Sequence, residues 1–321
     1  MPMDYDDQNQ AKASFSAVYN APTPHAYLEE MCRVGYQIGE RARPHCMAGM
    51  ELLKEQNGAA WPVQMLDIGC SYGLGSAFVK FGCSFEELAA FFHSRAPKEY
   101  EACTAATRHW LHAVPPLDMR VVGVDVAEKA VTFALDAGLL DGGIWTDFES
   151  PGAEATEEER AWFRSCNLVI STGAIGYVTE RTMRSVLPEV GLDHPGVDGP
   201  YAVFTILRMF DPDPIAVACQ ESGWTMAPIE GARLPQRAFR DEQEQDRVVR
   251  QLEERGLDTH RWERRGVLYA DLYGAATDEA SLAKLVERLQ AVDDDLEGER
   301  PLFASHVQVA TAESASTGPP S

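Results

Sequence analysis

The sequence predicts an α/β fold, a mostly parallel sheet with helices on both faces. Three observations carry this expectation. Short apolar runs that suit buried strands, at 62–68, 120–126, 167–171 and 201–207, recur between segments of helical periodicity. The first run ends in a glycine-rich loop, Gly69-Cys70-Ser71-Tyr72-Gly73-Leu74-Gly75, which opens directly onto a helix-forming stretch. Strands alternating with helices in this way imply parallel pairing through right-handed crossovers.

Residues 24–53 carry apolar side chains at helical spacing (Tyr27, Leu28, Met31, Cys32, Val34, Ile38), with a break expected at Pro44. The first strand follows at 62–68 and its helix at 74–81. Residues 84–119 then separate this helix from the second strand by far more than an ordinary connection. They read as added helix (EELAAFF, then YEACTAATRHWLHAV). A helix-to-strand loop lies at the edge of a parallel sheet away from ligands, so the insertion is expected to be scaffold or an oligomer contact. The second strand spans 120–126 and its helix 127–137; a weaker third strand spans 144–148. A charged helix at 155–164 leads to the fourth strand, and a helix at 180–187 to the fifth. After a helix at 214–222, two strands at 224–229 and 267–273 are expected to close the sheet. Charged amphipathic helices lie between them, at 242–255, and after them, at 281–292.

A chain of 321 residues suits one large α/β domain with additions, or two small ones. Its 28 basic and 50 acidic residues give a net charge of −22, which repels phosphate backbones and anionic membrane surfaces. Neither nucleic acid nor membrane is therefore an expected partner. The densest basic run, Arg261-Trp262-Glu263-Arg264-Arg265, is short and broken by an acid. No leader-like run and no apolar stretch of membrane-spanning length is present, so a cytoplasmic location is expected. The seven cysteines are scattered and form no CxxC pair, which points to neither a disulfide framework nor zinc. His109 and His112 lack the further ligands that a structural zinc needs, and no metal is expected.

Glycines at 69 and 73 permit backbone conformations that a side chain forbids and let a ligand approach the main chain. The helix beyond them points free N–H groups at that ligand. A dinucleotide loop has the spacing G-x-G-x-x-G, which this loop does not match; the phosphate loop G-x-x-x-x-G-K-[ST] is missing too, because Ser76 follows Gly75. What the residues do form is an acid at a strand end followed by small residues, Asp67-x-Gly69-x-Ser71-x-Gly73.

That run resembles motif I of class I S-adenosylmethionine-dependent methyltransferases, (D/E)-x-G-x-G-x-G, with Ser71 standing at the middle glycine. The likeness continues in order through Asp125, Asp147-Phe148 and Ser171-Thr172-Gly173-Ala174, and with the flanking strands covers residues 63–273. It implies a Rossmann-like, mostly parallel seven-stranded sheet with helices on both faces, an N-terminal helical extension and a helical insertion. It also implies S-adenosyl-L-methionine as cofactor, held by Asp67, Gly69, Cys70, Ser71, Gly73, Asp125, Val126, Asp147, Phe148, Ser171 and Thr172. In this likeness Asp125 binds the ribose hydroxyls, and Asp147 with Phe148 the adenine. Asp125 is equally placed to cap the helix that starts at Ala127, and Asp147 to serve as a turn residue. Asp67 can instead orient the glycine loop through backbone N–H groups.

On this likeness the chain divides into a disordered N-terminus (1–15), a helical lid (16–60), the cofactor-binding domain (61–275, with the insertion at 84–118), a C-terminal helical extension (276–311) and a disordered tail (312–321). The expected activity is in-line methyl transfer to a small-molecule acceptor, with a homodimer left open. Tyr177 is the candidate catalytic residue, and Tyr27, Tyr36 and Arg208 are candidate substrate contacts; His25, His45 and Asp211 also fall near the expected ligand edge. A general base is needed only for an acceptor that carries a proton at working pH. The alternatives are a non-catalytic S-adenosylmethionine-binding scaffold and an NAD(P)-dependent oxidoreductase, the latter opposed by the glycine spacing.

Overall fold

The computed structural model describes residues 19–296. The expected disordered segments at 1–15 and 312–321, and the end of the expected 276–311 extension, lie outside the described residues. Seven strands form one sheet: β1 (Val63–Ile68), β2 (Met119–Val124), β3 (Gly142–Ile144), β4 (Leu168–Thr172), β5 (Tyr201–Leu207), β6 (Thr225–Ala238) and β7 (Val267–Ala276). Their order is β3-β2-β1-β4-β5-β7-β6, and the Rossmann-like, mostly parallel sheet expected from the sequence is present. β1 to β5 pair in parallel, while β7 runs antiparallel to both β5 and β6.

The apolar runs become strands because both of their faces are covered. Every residue of β5 is buried, and four of the six in β1 are apolar and buried, as parallel strands between helical layers must be. Strand order reverses between β1 and β4, so the crevice outside their carboxyl ends is where this architecture takes a ligand. A dinucleotide fold continues 3-2-1-4-5-6; here an antiparallel β7 lies between β5 and β6 instead.

The N-terminal segment forms α1 (His25–Arg33) and α2 (Ile38–Asn57). The expected break at Pro44 does not occur; α2 runs through it, and the chain turns at Gly35, whose φ is 61°. Proline removes one bond to the preceding turn, but α2 buries Ala42, Cys46, Leu52 and Leu53 and packs against β4, β5 and β6. Gly49 allows this approach: a Cβ there would stand 3.3 Å from Leu168 Cδ1. The first strand is followed by α3 (Leu74–Val79).

The insertion folds as α4 (Phe85–Ser94), begun by a Ser84–Glu87 capping box, and α5 (Tyr100–Leu111). α4 packs on α1: the His25 ring stands edge-on to Phe92 at 5.5 Å, and His25 Nε2 lies 3.2 Å from the Ala96 carbonyl. The insertion is thus scaffold within the chain, propping the N-terminal helix.

α6 (Glu128–Asp136) follows β2. The third strand is Gly142–Ile144, not 144–148, because α6 lies so close that a Cβ on Gly143 would meet Val131 Cγ1 at 2.5 Å. After Ile144 accepts from the Asp125 N–H at 3.0 Å, the chain leaves the sheet toward the crevice. α7 (Glu157–Ser165), α8 (Glu180–Val186) and α9 (Asp213–Glu221) complete the crossovers. β6 extends to Ala238, beyond the expected 229, because β7 pairs with it along its length through two register shifts. α10 (Glu242–Glu254) joins them, and α11 (Glu279–Leu296) packs on α2, β6 and β7. Among the described residues no helix is long and apolar enough to cross a membrane.

Two buried ion pairs hold the β6–α10–β7 excursion. Arg208 Nη1 donates to both oxygens of Glu263 at 2.6 and 2.9 Å, with its Nη2 on the Asp258 carbonyl. Arg237 donates to both oxygens of Glu244 at 2.6 and 3.0 Å. Arg208 and Glu263 are 2% and 1% exposed, so removing one partner strands a buried charge. Arg208→Met alone is expected to destabilise by about 3–5 kcal/mol in urea unfolding, and Arg208→Met with Glu263→Leu to recover most of that loss. Equal losses in the single and double variants would show that packing, not charge, sets the cost.

Candidate functional site

A cavity of about 440 Å³ lies at the carboxyl ends of the parallel strands, within the range of roughly 300–1,000 Å³ typical of ligand pockets. Four successive strand-end loops line it. Gly69 and Ser71 follow β1, Asp125 and Val126 follow β2, Asp147 to Glu149 follow β3, and Thr172 to Ala174 with Tyr177 follow β4. Tyr19, Tyr27, Met31 and Tyr36 of the N-terminal segment, with Gln236 and Arg237 of β6, supply the remaining wall.

The loop after β1 takes its shape from three positive-φ residues, Gly69 (83°), Ser71 (49°) and Gly73 (78°). A Cβ on Gly69 would stand 2.2 Å from Ala174 Cβ, so glycine lets the β4 loop close against the β1 loop. Ser71 is the one non-glycine residue with positive φ among the described residues, a conformation costing an L-residue roughly 1–2 kcal/mol. Its N–H donates to Asp125 Oδ2 at 2.9 Å, and this bond holds the serine where a glycine would sit without strain. Gly73 does not face the cavity; a Cβ there would meet Leu139 and Ala134 at 3.0 and 3.2 Å. Cys70 is buried under Gly123, its Sγ 2.5 Å from where a Cβ on that glycine would stand. These two expected cofactor residues therefore shape the loop from behind.

Asp125 performs the capping role and also lines the cavity. Oδ1 accepts from Ala127 N–H and Oδ2 from Ser71 N–H, each at 2.9 Å. Each carboxylate oxygen has a second lone pair. Burial raises the Asp125 pKa, and the two backbone bonds pull it back. Asp67 is 2% exposed and lies behind the loop, outside the lining. A Cβ on Gly75 would stand 2.2 Å from its Oδ2, which has no hydrogen-bond partner among the described residues. Burial, then the nearby charge of Asp125, pushes its carboxyl from 3.8 up to about 7.

Asp147 also takes its turn role, accepting from Glu149 N–H at 3.1 Å and Ser150 Oγ at 2.6 Å. Phe148 lines the cavity beside it and packs on Phe163. Glu149, which sequence reasoning missed, caps α8: its carboxylate accepts from Thr179 N–H at 2.8 Å, Thr179 Oγ1 at 2.6 Å and Thr182 Oγ1 at 2.5 Å. The hydroxyls at 179 and 182, one turn apart, were the available signal. Ser171 is buried with its Oγ on the Ile68 carbonyl at 2.9 Å, stitching β4 to β1, whereas Thr172 lines the cavity.

Tyr27 and Tyr36, the candidate substrate contacts, and Tyr177, the candidate catalytic residue, line the cavity, joined by Tyr19, Gln236 and Arg237, which sequence reasoning did not single out. Arg208 is not brought to the cavity; its guanidinium is held by Glu263. His25 is turned to the insertion, His45 is buried in α2, and Asp211 receives the Asp213 N–H at 3.1 Å. Residues Tyr19 to Ala21 form a strap over the cleft. Ala21 O accepts from Tyr72 Oη at 2.8 Å, and Asn20 Oδ1 accepts from Lys129 N–H at 2.9 Å, capping α6 from a distance. The Tyr19 ring lies 5.3 Å from Tyr27 and 6.5 Å from Tyr177. Burial raises the pKa of Tyr19, Tyr27, Tyr36 and Tyr177, so all four are phenols at neutral pH.

No family model matches the sequence, and no curated protein is similar enough to count as a relative. Among solved structures, the chain is similar to a phosphoethanolamine N-methyltransferase 2 of Haemonchus contortus, in complex with phosphomonomethylethanolamine and S-adenosylhomocysteine. Identity is 11% and the TM-score 0.37, with 86% of this chain and 60% of that one covered.

Asp67 gives the site a pH signature. Its folded pKa of about 7 exceeds the unfolded 3.8, so between these values the folded state binds more protons and stability falls as pH rises. Asp67→Asn is expected to gain on the wild type progressively as pH rises from about 4 to about 7, levelling above. Urea titrations across that window test this; a constant difference between the two proteins would show that Asp67 is ionised throughout.

Proposed function

We propose that the chain is an S-adenosylmethionine-dependent methyltransferase acting on a small molecule enclosed beneath the N-terminal strap. The observation that carries this is the convergence of four strand-end loops on one cavity, with Asp125 clamped between the first two. The residues present suit the cofactor. Asp125 keeps cavity-side lone pairs for two adjacent hydroxyls. Phe148 supplies an apolar surface for a purine, and Gln236 Oε1 is a buried acceptor without a partner among the described residues. The carboxylate of Asp125 also favours a cationic ligand.

When bound, the cofactor supplies an electrophilic methyl group on a sulfonium. The chain's own task is then positional. Asp125 and Val126 would hold the ribose, Asp147 and Phe148 the adenine, and Gly69, Ser71 and Thr172 the methionyl end. Tyr27, Tyr36 and Tyr177 would bound the acceptor. Excluding water and aligning two reactants can supply much of the acceleration of such a displacement. Tyr177, as a phenol, would orient the acceptor by hydrogen bonding. A non-catalytic cofactor-binding scaffold shares the same cleft and is separated only by turnover. A nicotinamide enzyme is disfavoured by the loop spacing and by β7 between β5 and β6.

Calorimetry with S-adenosylhomocysteine tests the proposal. The wild type is expected to bind it and not NAD(H). Asp125→Ala is expected to lose about 1.5–3 kcal/mol, roughly ten- to a hundredfold in affinity, while circular dichroism reports a folded protein. Binding unchanged in Asp125→Ala, or preferring the dinucleotide, would reject it.

A further inference from the structure

The wall that faces the acceptor, once the cofactor residues of the four strand-end loops are set aside, is chemically unusual. Tyr19, Tyr27, Tyr36 and Tyr177 line it, with Met31, Gln236 and Arg237. The one basic side chain of this wall is already neutralised, because Arg237 and Glu244 are 4% and 0% exposed and joined at 2.6 Å. An anionic acceptor would therefore meet a balanced ion pair, and beyond it the carboxylate of Asp125. Aromatic rings, by contrast, attract cations through their faces, most strongly when desolvated. The chain's net charge of −22 adds long-range attraction for cationic solutes.

Proton bookkeeping points the same way. Among the described residues, the cavity lining holds no histidine, lysine or cysteine. Asp147 and Glu149 accept turn and cap donors, and Asp125, already holding two backbone N–H groups, has its remaining lone pairs assigned to the cofactor's hydroxyls. The tyrosines stay protonated. An alcohol acceptor needs a base to remove its proton as it attacks, whereas an amine in its free-base form does not. Its lone pair attacks the methyl carbon, the N–C bond forms as the C–S bond breaks, and sulfur keeps the bonding electrons. The positive charge passes from sulfur to nitrogen, and any N–H proton leaves to solvent afterwards. Charge is conserved throughout, in a wall suited to a cation.

We infer that the acceptor is an amine, methylated as its free base within the wall formed by Tyr19, Tyr27, Tyr36 and Tyr177; this rests on the methyltransferase reading. The test uses the full chain loaded with S-adenosylhomocysteine, whose own binding is measured first. Tetramethylammonium and its neutral counterpart tert-butanol are then titrated by calorimetry or ligand-observed NMR. The cation is expected to bind at least tenfold more tightly. Tyr177→Phe, which retains the ring, is expected to keep that preference, and Tyr177→Leu to lose several-fold of it. Tyr177 is 44% exposed, so both variants should fold. With a series of alkylamines and labelled S-adenosylmethionine, kcat/KM is expected to rise tenfold per pH unit up to a break that follows each amine's own pKa.

Equal binding of cation and neutral counterpart, or turnover confined to phenols, thiols or carboxylates, would overturn the amine inference and leave the methyltransferase reading standing. Failure of S-adenosylhomocysteine to bind would remove both.

Discussion

One carboxylate holds the two loops on which the cavity depends: Asp125 takes the Ser71 N–H on one oxygen and the Ala127 N–H on the other, each at 2.9 Å. The first bond offsets the positive φ of Ser71, in a turn also held by the Gly73 N–H on the Cys70 carbonyl at 2.9 Å. The second bond fixes where α6 begins. Burial raises the pKa of this carboxylate, and the two backbone bonds pull it back. A charged group is kept at the cleft because two backbone donors stabilise it there.

Around this clamp the remaining elements act as walls of differing origin. The floor comes from strand ends and the loops after them, with β1 and β4 beneath it buried between helical layers. The roof comes from the N-terminal strap, which is fixed at three separate places: Tyr19 against Tyr177, Asn20 at the start of α6 and Ala21 on Tyr72. The insertion contributes nothing to the lining, yet α4 supports α1 through Phe92, and α1 carries Tyr27. Support at a distance of this kind explains why a helical insertion at the wrong edge of the sheet still bears on the site.

The β6–α10–β7 excursion closes the far side and uses its arginines internally. Arg208 was a reasonable candidate from its place just past β5, but Glu263 arrives from the loop before β7 and takes the guanidinium. Arg237 reaches the cavity already paired. Two buried ion pairs in one excursion leave the wall facing the strap with phenol hydroxyls, an amide and an already paired guanidinium as its polar groups.

What the sequence determined by itself is local in origin. The apolar runs of β1, β2, β4 and β5 and the glycine loop were legible because strand burial and positive φ leave marks on consecutive residues. The third strand, expected at 144–148, lies instead at Gly142–Ile144, where its glycines are contact points for α6 and Trp162. Pro44 looked like a helix end and was overridden by burial of the helix face around it. Asp125 and Asp147 were legible as residues of the cleft, though their bonds to the backbone could not be separated from ligand roles. Only the tertiary structure decided which loop residues face inward: Gly73, Cys70 and Ser171 turn to the scaffold, while Ser71 and Thr172 turn to the cavity. It also assembled the tyrosine wall from positions 19, 27, 36 and 177, with Gln236 and Arg237 from a strand longer than its apolar run suggested. No periodicity links those positions, because they meet through chain crossings rather than through any repeat along the backbone.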